Sequence, residues 1–148
     1  MDRRRHPNWT LADQVLRAVI PTAQRWLPDD VIGPDPAASR PFPIYDPDPP
    51  AVTEALLAYC EGVVAGLLIV VTDECFSSDC GPFLVDADDL PRFARAYPDA
   101  MDAVFVGGDV IILSAATGRA VVVHHSEFIF TVCGVARRWH APKDVSVP

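Results

Sequence analysis

Two short stretches carry side chains whose types could do chemistry. His124 and His125 are adjacent, and Cys75-Phe-Ser-Ser-Asp-Cys80 sets two thiols four residues apart. Imidazole nitrogens and thiolates are the common ligands of zinc, and a thiol beside a histidine base can act as a nucleophile. Cys75, Cys80, His124 and His125 are therefore the candidate residues for a metal-binding or thiol-dependent enzyme, with His140 as a further ligand if the fold brings it near. Two considerations weigh against that chemistry. A structural zinc site needs four converging ligands, and the sequence has no second cysteine pair. Neighbouring residues of a strand also point to opposite faces, so a strand through His124 and His125 keeps their rings apart: one joins Val122, the other Val121 and Val123.

Other signatures of catalysis or nucleotide binding are missing from the sequence. Gly62 and Gly66 open no helix, Gly107-Gly108 lacks a phosphate-binding lysine, and there is no HExxH and no GxSxG. The acid pair Asp88-Asp89 reads as helix capping rather than acid–base chemistry. No catalytic residue and no cofactor is expected.

The charge pattern is more informative. The 148 residues carry 12 Lys+Arg and 20 Asp+Glu, a formal net charge of −8. Residues 1–45 sum to +1, residues 46–109 to −11 and residues 110–148 to +2. A chain with an acidic centre is poorly suited to phosphate backbones, so nucleic acid is not an expected partner. An acidic surface can instead steer and hold a basic protein. The candidate contacts are Asp73, Glu74, Asp79, Asp86, Asp88 and Asp89, all outside the apolar runs.

These residues must be positioned by a fold, and half of the residues are hydrophobic, enough for a core. Thr10 can cap a helix whose Leu11, Val15, Ala18 and Val19 share a face, and Thr22 to Leu27 reads as a further turn around Trp26. Residues 28–50 hold eight of the 15 prolines and read as an extended connector without a regular hydrogen-bond ladder. Its Phe42, Ile44 and Tyr45 suggest that it lies on the body. From Ala51, the stripe Val52, Leu56, Tyr59 and Val63 predicts a helix stopping at Gly62.

Val63 to Thr72 predicts a central strand covered on both faces. The run is far short of the about 20 residues that span a bilayer, and Arg3 to Arg5 are followed by no signal-peptide core, so a cytoplasmic protein without a membrane segment is expected. Asp73 to Gly81 reads as a polar loop and Pro82 to Val85 as a short strand. Asp86 or Asp88 would cap a helix over 89–97. Strands are then predicted over 104–106, 109–114, 119–125 and 128–133, with Gly118 closing a hairpin loop and Ser126-Glu127 making a tight link. The tail from Gly134, with Arg137, Arg138 and Lys143, is expected to be loosely held.

The expectation is one α+β domain: an N-terminal helical segment (1–27), a proline-rich connector (28–50), an α+β core (51–133) and a tail (134–148). N-terminal helices and a central apolar strand would precede a short helix and an antiparallel meander, forming one sheet.

The stretch from Leu67 to Val132, under half the chain, runs through Gly81-Pro82-Phe83, Asp88-Asp89-Leu90-Pro91-Arg92-Phe93 and Gly107 to His125. It resembles small actinobacterial immunity-type proteins that neutralise polymorphic toxins. Its strand, Thr117-Gly118 turn and strand are similar to a hairpin of the SUKH immunity superfamily. The resemblance implies a toxin-neutralising binding protein and assigns no site residue. The sequence thus favours a cytoplasmic, non-catalytic inhibitor of a basic toxin or enzyme. The alternatives are the Cys/His metal protein or enzyme, and an assembly subunit that uses exposed strands or the helix of Trp9 and Trp26.

Overall fold

The computed structural model describes residues 5–135. Arg3, Arg4, Arg137, Arg138, His140 and Lys143 lie outside them. The fold is α+β, with helices α1 (Asn8–Val19), α2 (Pro28–Ile32), α3 (Pro49–Cys60), α4 (Asp73–Ser77) and α5 (Leu90–Met101). The strands are β1 (Ala38–Pro41), β2 (Leu67–Thr72), β3 (Phe83–Asp86), β4 (Val110–Ser114), β5 (Arg119–His124) and β6 (Phe128–Cys133). They form one antiparallel sheet in the order β1-β6-β5-β4-β2-β3.

The apolar runs follow from burial on both faces. Ile69, Val71, Ile111, Leu113, Ala120 and Val122 face a layer built by α1 and α2, where Leu11, Val15, Leu16, Trp26 and Val31 are buried. Leu68, Val70, Ile112, Val121, Val123 and Ile129 face α3 and α5, against Leu56, Leu57, Leu90 and Tyr97. Each such aliphatic side chain removed from water contributes about 1.5–3 kcal/mol before the entropy of ordering is charged. Trp9 and Trp26 belong to this core, at 4% and 2% exposure, so they are not an assembly surface. No helix among the described residues is long and apolar enough to cross a membrane.

Several elements differ from the sequence reading. The proline-rich connector does enter the hydrogen-bond ladder: Ala38 to Pro41 pair with Thr131 to Phe128, and α2 forms with Pro28 at its N-terminus. β1 is an edge strand, where Pro41 costs little because its missing N–H faces no second neighbour. The segment is pinned by buried Phe42 and Ile44.

The apolar strand begins at Leu67 rather than Val63, because Val63 and Val64 donate to Cys60 O and Gly66 takes a positive φ of 67°. That strand lies one place in from the sheet edge, between β4 and β3. The loop expected over 73–81 contains α4, and α5 runs on through Pro98 to Met101. It continues because Tyr97 is locked into a cluster with Phe83, Phe93 and Phe105 at centroid distances of 5.2–5.9 Å. Residues 104–106 are not a strand: Phe105 and Val106 turn into the α3–α5 core. The first two tail residues are held, since Gly134 donates to Gly118 O and Val135 to Val19 O.

If the connector is part of the core, Phe42→Ala should lower the unfolding free energy by about 3–5 kcal/mol. Urea denaturation measures this, and a loss below about 1 kcal/mol would mean the segment contributes little.

Candidate functional site

β5 ends at His124, and the chain turns through Ser126 to Glu127, which takes a left-handed φ of 66°. His125 therefore sits in the turn, where the alternation of a strand no longer applies. The two imidazoles stack at 4.2 Å with 27° between their planes. This corrects the expectation that they face opposite ways.

The register brings acids to the same place. Thr72 pairs with Val110, so Asp73 and Asp109 each stand at the same end of their strands, and Val110 pairs with Val123, next to His124. Asp109 Oδ1 accepts the His125 backbone N–H at 2.8 Å and contacts its ring Nδ1 at 2.9 Å. α2 lies over this end of β5 and sets Asp29 Oδ1 3.0 Å from His124 Nε2. The Ser126 backbone N–H donates to His124 Nδ1 at 3.0 Å. A backbone N–H can only donate, so Nδ1 holds a lone pair and the His124 ring proton lies on Nε2, given to Asp29.

Asp73 packs over Gly108, where any Cβ would collide with its carboxylate. Burial, then the nearby charge of Asp109, raises its pKa above the usual carboxylate value. Glu74, also close, accepts a 2.6 Å hydrogen bond from the Tyr97 hydroxyl. A cavity of about 100 Å³ opens beside Asp73 and Asp109, walled by Trp26, Pro28 and Ile111. Among the described residues, the one set of three ligand-type side chains close enough to share an ion is Asp109, His124 and His125, with one donor atom of each within 4.8 Å of the others.

The cysteines do not join it. Cys75 is buried, its Sγ accepts the Thr72 N–H at 3.3 Å, and it fills the role of the acidic or amide residue of a capping box at the start of α4. Cys80 donates to Glu74 O at 3.3 Å, within the same turn. Burial pushes the Cys75 thiol up to about 11, which is the wrong direction for a nucleophile or metal ligand at neutral pH. The pairing of Cys75 and Cys80 with His124 and His125 in one centre is thereby corrected.

The acidic candidates divide. Asp73 and Glu74 stand at the histidine end of the sheet. Asp86 is the last residue of β3, paired with Leu67 at the opposite end of β2, and it accepts the Asp88 N–H at 3.0 Å. Asp89 binds Arg92 at 3.0 Å. Asp79 accepts the backbone N–H groups of Arg5 and His6, each at 3.1 Å, and ties down the start of the described chain. Asp29 and Asp109 were not singled out in the sequence. Their only signal there was acidity next to an element end, which many aspartates share.

A separate apolar cavity of about 370 Å³ lies between α3 and α5, lined by Pro49, Thr53, Ala94, Pro98, Val104 and Phe105. Arg95 and Glu54 on its wall satisfy each other at 2.7 Å. No family model, no curated protein and no solved structure matches the chain.

The thiols supply a direct check. Cys133 is exposed, Cys80 half-buried, and Cys60 and Cys75 buried. In the folded protein at pH 8, a chromogenic disulfide reagent should titrate Cys133 first and Cys80 more slowly. Cys60 and Cys75 should react only on unfolding. Burial raises the Cys60 thiol to about 12, and burial raises Cys75 to about 11, both above the roughly 8.5 of an unfolded chain. The folded state therefore holds these protons more tightly, and stability should fall as pH rises from about 8.5 towards 11. Fast labelling of Cys75 in native protein would contradict this.

Proposed function

We propose that this chain is a non-catalytic binding protein of the immunity type, which occludes a basic toxin or enzyme with an acidic face. The observation that carries the reading is the convergence of Asp29, Asp73, Glu74 and Asp109 at one end of the sheet, from three separate parts of the chain. Three of the four, Asp73, Glu74 and Asp109, belong to the acidic stretch of residues 46–109. Carboxylates fixed at helix and strand ends lose little entropy when they meet lysine or arginine side chains, and their summed field speeds encounter. The partner is a basic protein, not nucleic acid and not a membrane, and no cofactor is required. Four free cysteines suit a reducing cytoplasm, the compartment in which an inhibitor of this type would protect its own cell.

The test is binding of the purified chain to the basic products of the genes beside its own, by calorimetry and stopped-flow at low and high salt. Association should slow several-fold at high salt, and again in Asp29→Asn and Asp73→Asn. Asp86→Asn and Asp88→Asn, at the other end of the sheet, should leave it unchanged. Binding indifferent to salt, or no basic neighbour that binds, would sink the proposal.

A further inference from the structure

We infer that Asp109, His124 and His125 form a binding site for a divalent transition-metal ion of the zinc type, with Asp29 as a positioning residue. Two imidazoles and one carboxylate, with donor atoms within 4.8 Å of one another, match the ligand set of three-residue zinc sites that leave a position for water. A ring-nitrogen lone pair and a carboxylate oxygen select such an ion over calcium or magnesium, which take oxygen ligands almost exclusively.

An ion would enter by replacing hydrogen bonds that these residues make among themselves. A histidine ligand gives one nitrogen lone pair to the ion and donates its other N–H to a carboxylate, which fixes the tautomer. His124 carries its proton on Nε2, bonded to Asp29 at 3.0 Å, and holds its lone pair on Nδ1 towards Ser126. An ion on that nitrogen would take the place of the Ser126 hydroxyl, 2.7 Å away, and of the Ser126 backbone N–H, 3.0 Å away, so the β5–β6 turn must shift as it binds. His125 sets Nδ1 2.9 Å from Asp109 Oδ1, so an ion held between that ring and that carboxylate would take Nδ1 and replace this hydrogen bond. Asp109 uses Oδ1 for the His125 backbone N–H at 2.8 Å, which leaves Oδ2 for an ion.

The site does not depend on the protein partner proposed above, so it is tested without one. The full chain carrying Cys133→Ser, which removes the exposed thiol as a competing ligand, is stripped with chelator and titrated with zinc chloride by calorimetry at pH 7.5. One zinc per chain is expected. His125→Ala, an exposed change that circular dichroism should show to be folded, should weaken binding at least about tenfold, and Asp29→Asn about 10–100-fold. Asp88→Asn should bind as the parent does. Shifts of the His124 and His125 ring nitrogens by NMR on zinc addition would place the ion at the imidazoles. Absence of zinc binding, zinc affinity unchanged in His125→Ala, or equal affinity for calcium would overturn the inference.

Discussion

Thr72 stands opposite Val110, and Val110 opposite Val123. The site depends on this register, because Asp73, Asp109 and His124 all lie at the ends of these three strands. Burial alone does not fix it. These strands are apolar on both faces, so a one-residue slip would exchange one apolar face for another rather than expose it. The turns do the fixing. The Ser114 hydroxyl donates to Ala65 O at 2.9 Å and accepts the Ala65 N–H at 3.2 Å, locking the approach to β2 against the end of β4. Gly118 closes the β4–β5 loop with a φ of 67°, a conformation that glycine adopts without penalty. At the other end, the positive φ of Glu127 sets the β5–β6 turn and releases His125 from the strand.

The helical layers then complete what the sheet begins. α1 and α2 cover one face, and in doing so α2 delivers Asp29 to the tip of β5. α5 covers the other and delivers Tyr97, whose hydroxyl bridges Thr72 at 2.8 Å and Glu74 at 2.6 Å. Burial and the bond to Glu74 both push the Tyr97 hydroxyl pKa upward, so it serves as a fixed donor. The acids thus divide by task. Asp86, Asp79 and Asp89 satisfy backbone groups or an arginine, and such contacts hold turns in place. Asp29 and Asp109 instead bond to the rings of His124 and His125, and Asp73 stands close enough to Asp109 to feel its charge.

Much of this was legible in the sequence. Apolar runs of strand length, the Gly118 turn, the Ser126-Glu127 link and the helical stripes of α1 and α3 mark their elements through local sterics and periodicity, and these do not need the rest of the chain. The concentration of acid in residues 46–109 was equally plain. Less legible were α4, hidden in a polar stretch, and β1, hidden among prolines. Both form because a partner is present: α4 because Thr72 and Cys75 bond at its start, β1 because β6 offers an unpaired edge.

The sequence by itself determined the α+β composition, the hairpins and the sign of the charge, since each depends on residues close along the chain. Only the tertiary structure decided which acids stand together and whether two adjacent histidines share a face. Asp29 and His124 are 95 residues apart. Their meeting follows from α2 packing on β5, and the stacking of His124 on His125 follows from where one strand stops. Both are consequences of long-range packing and of a single backbone angle, and neither leaves a trace in residue spacing.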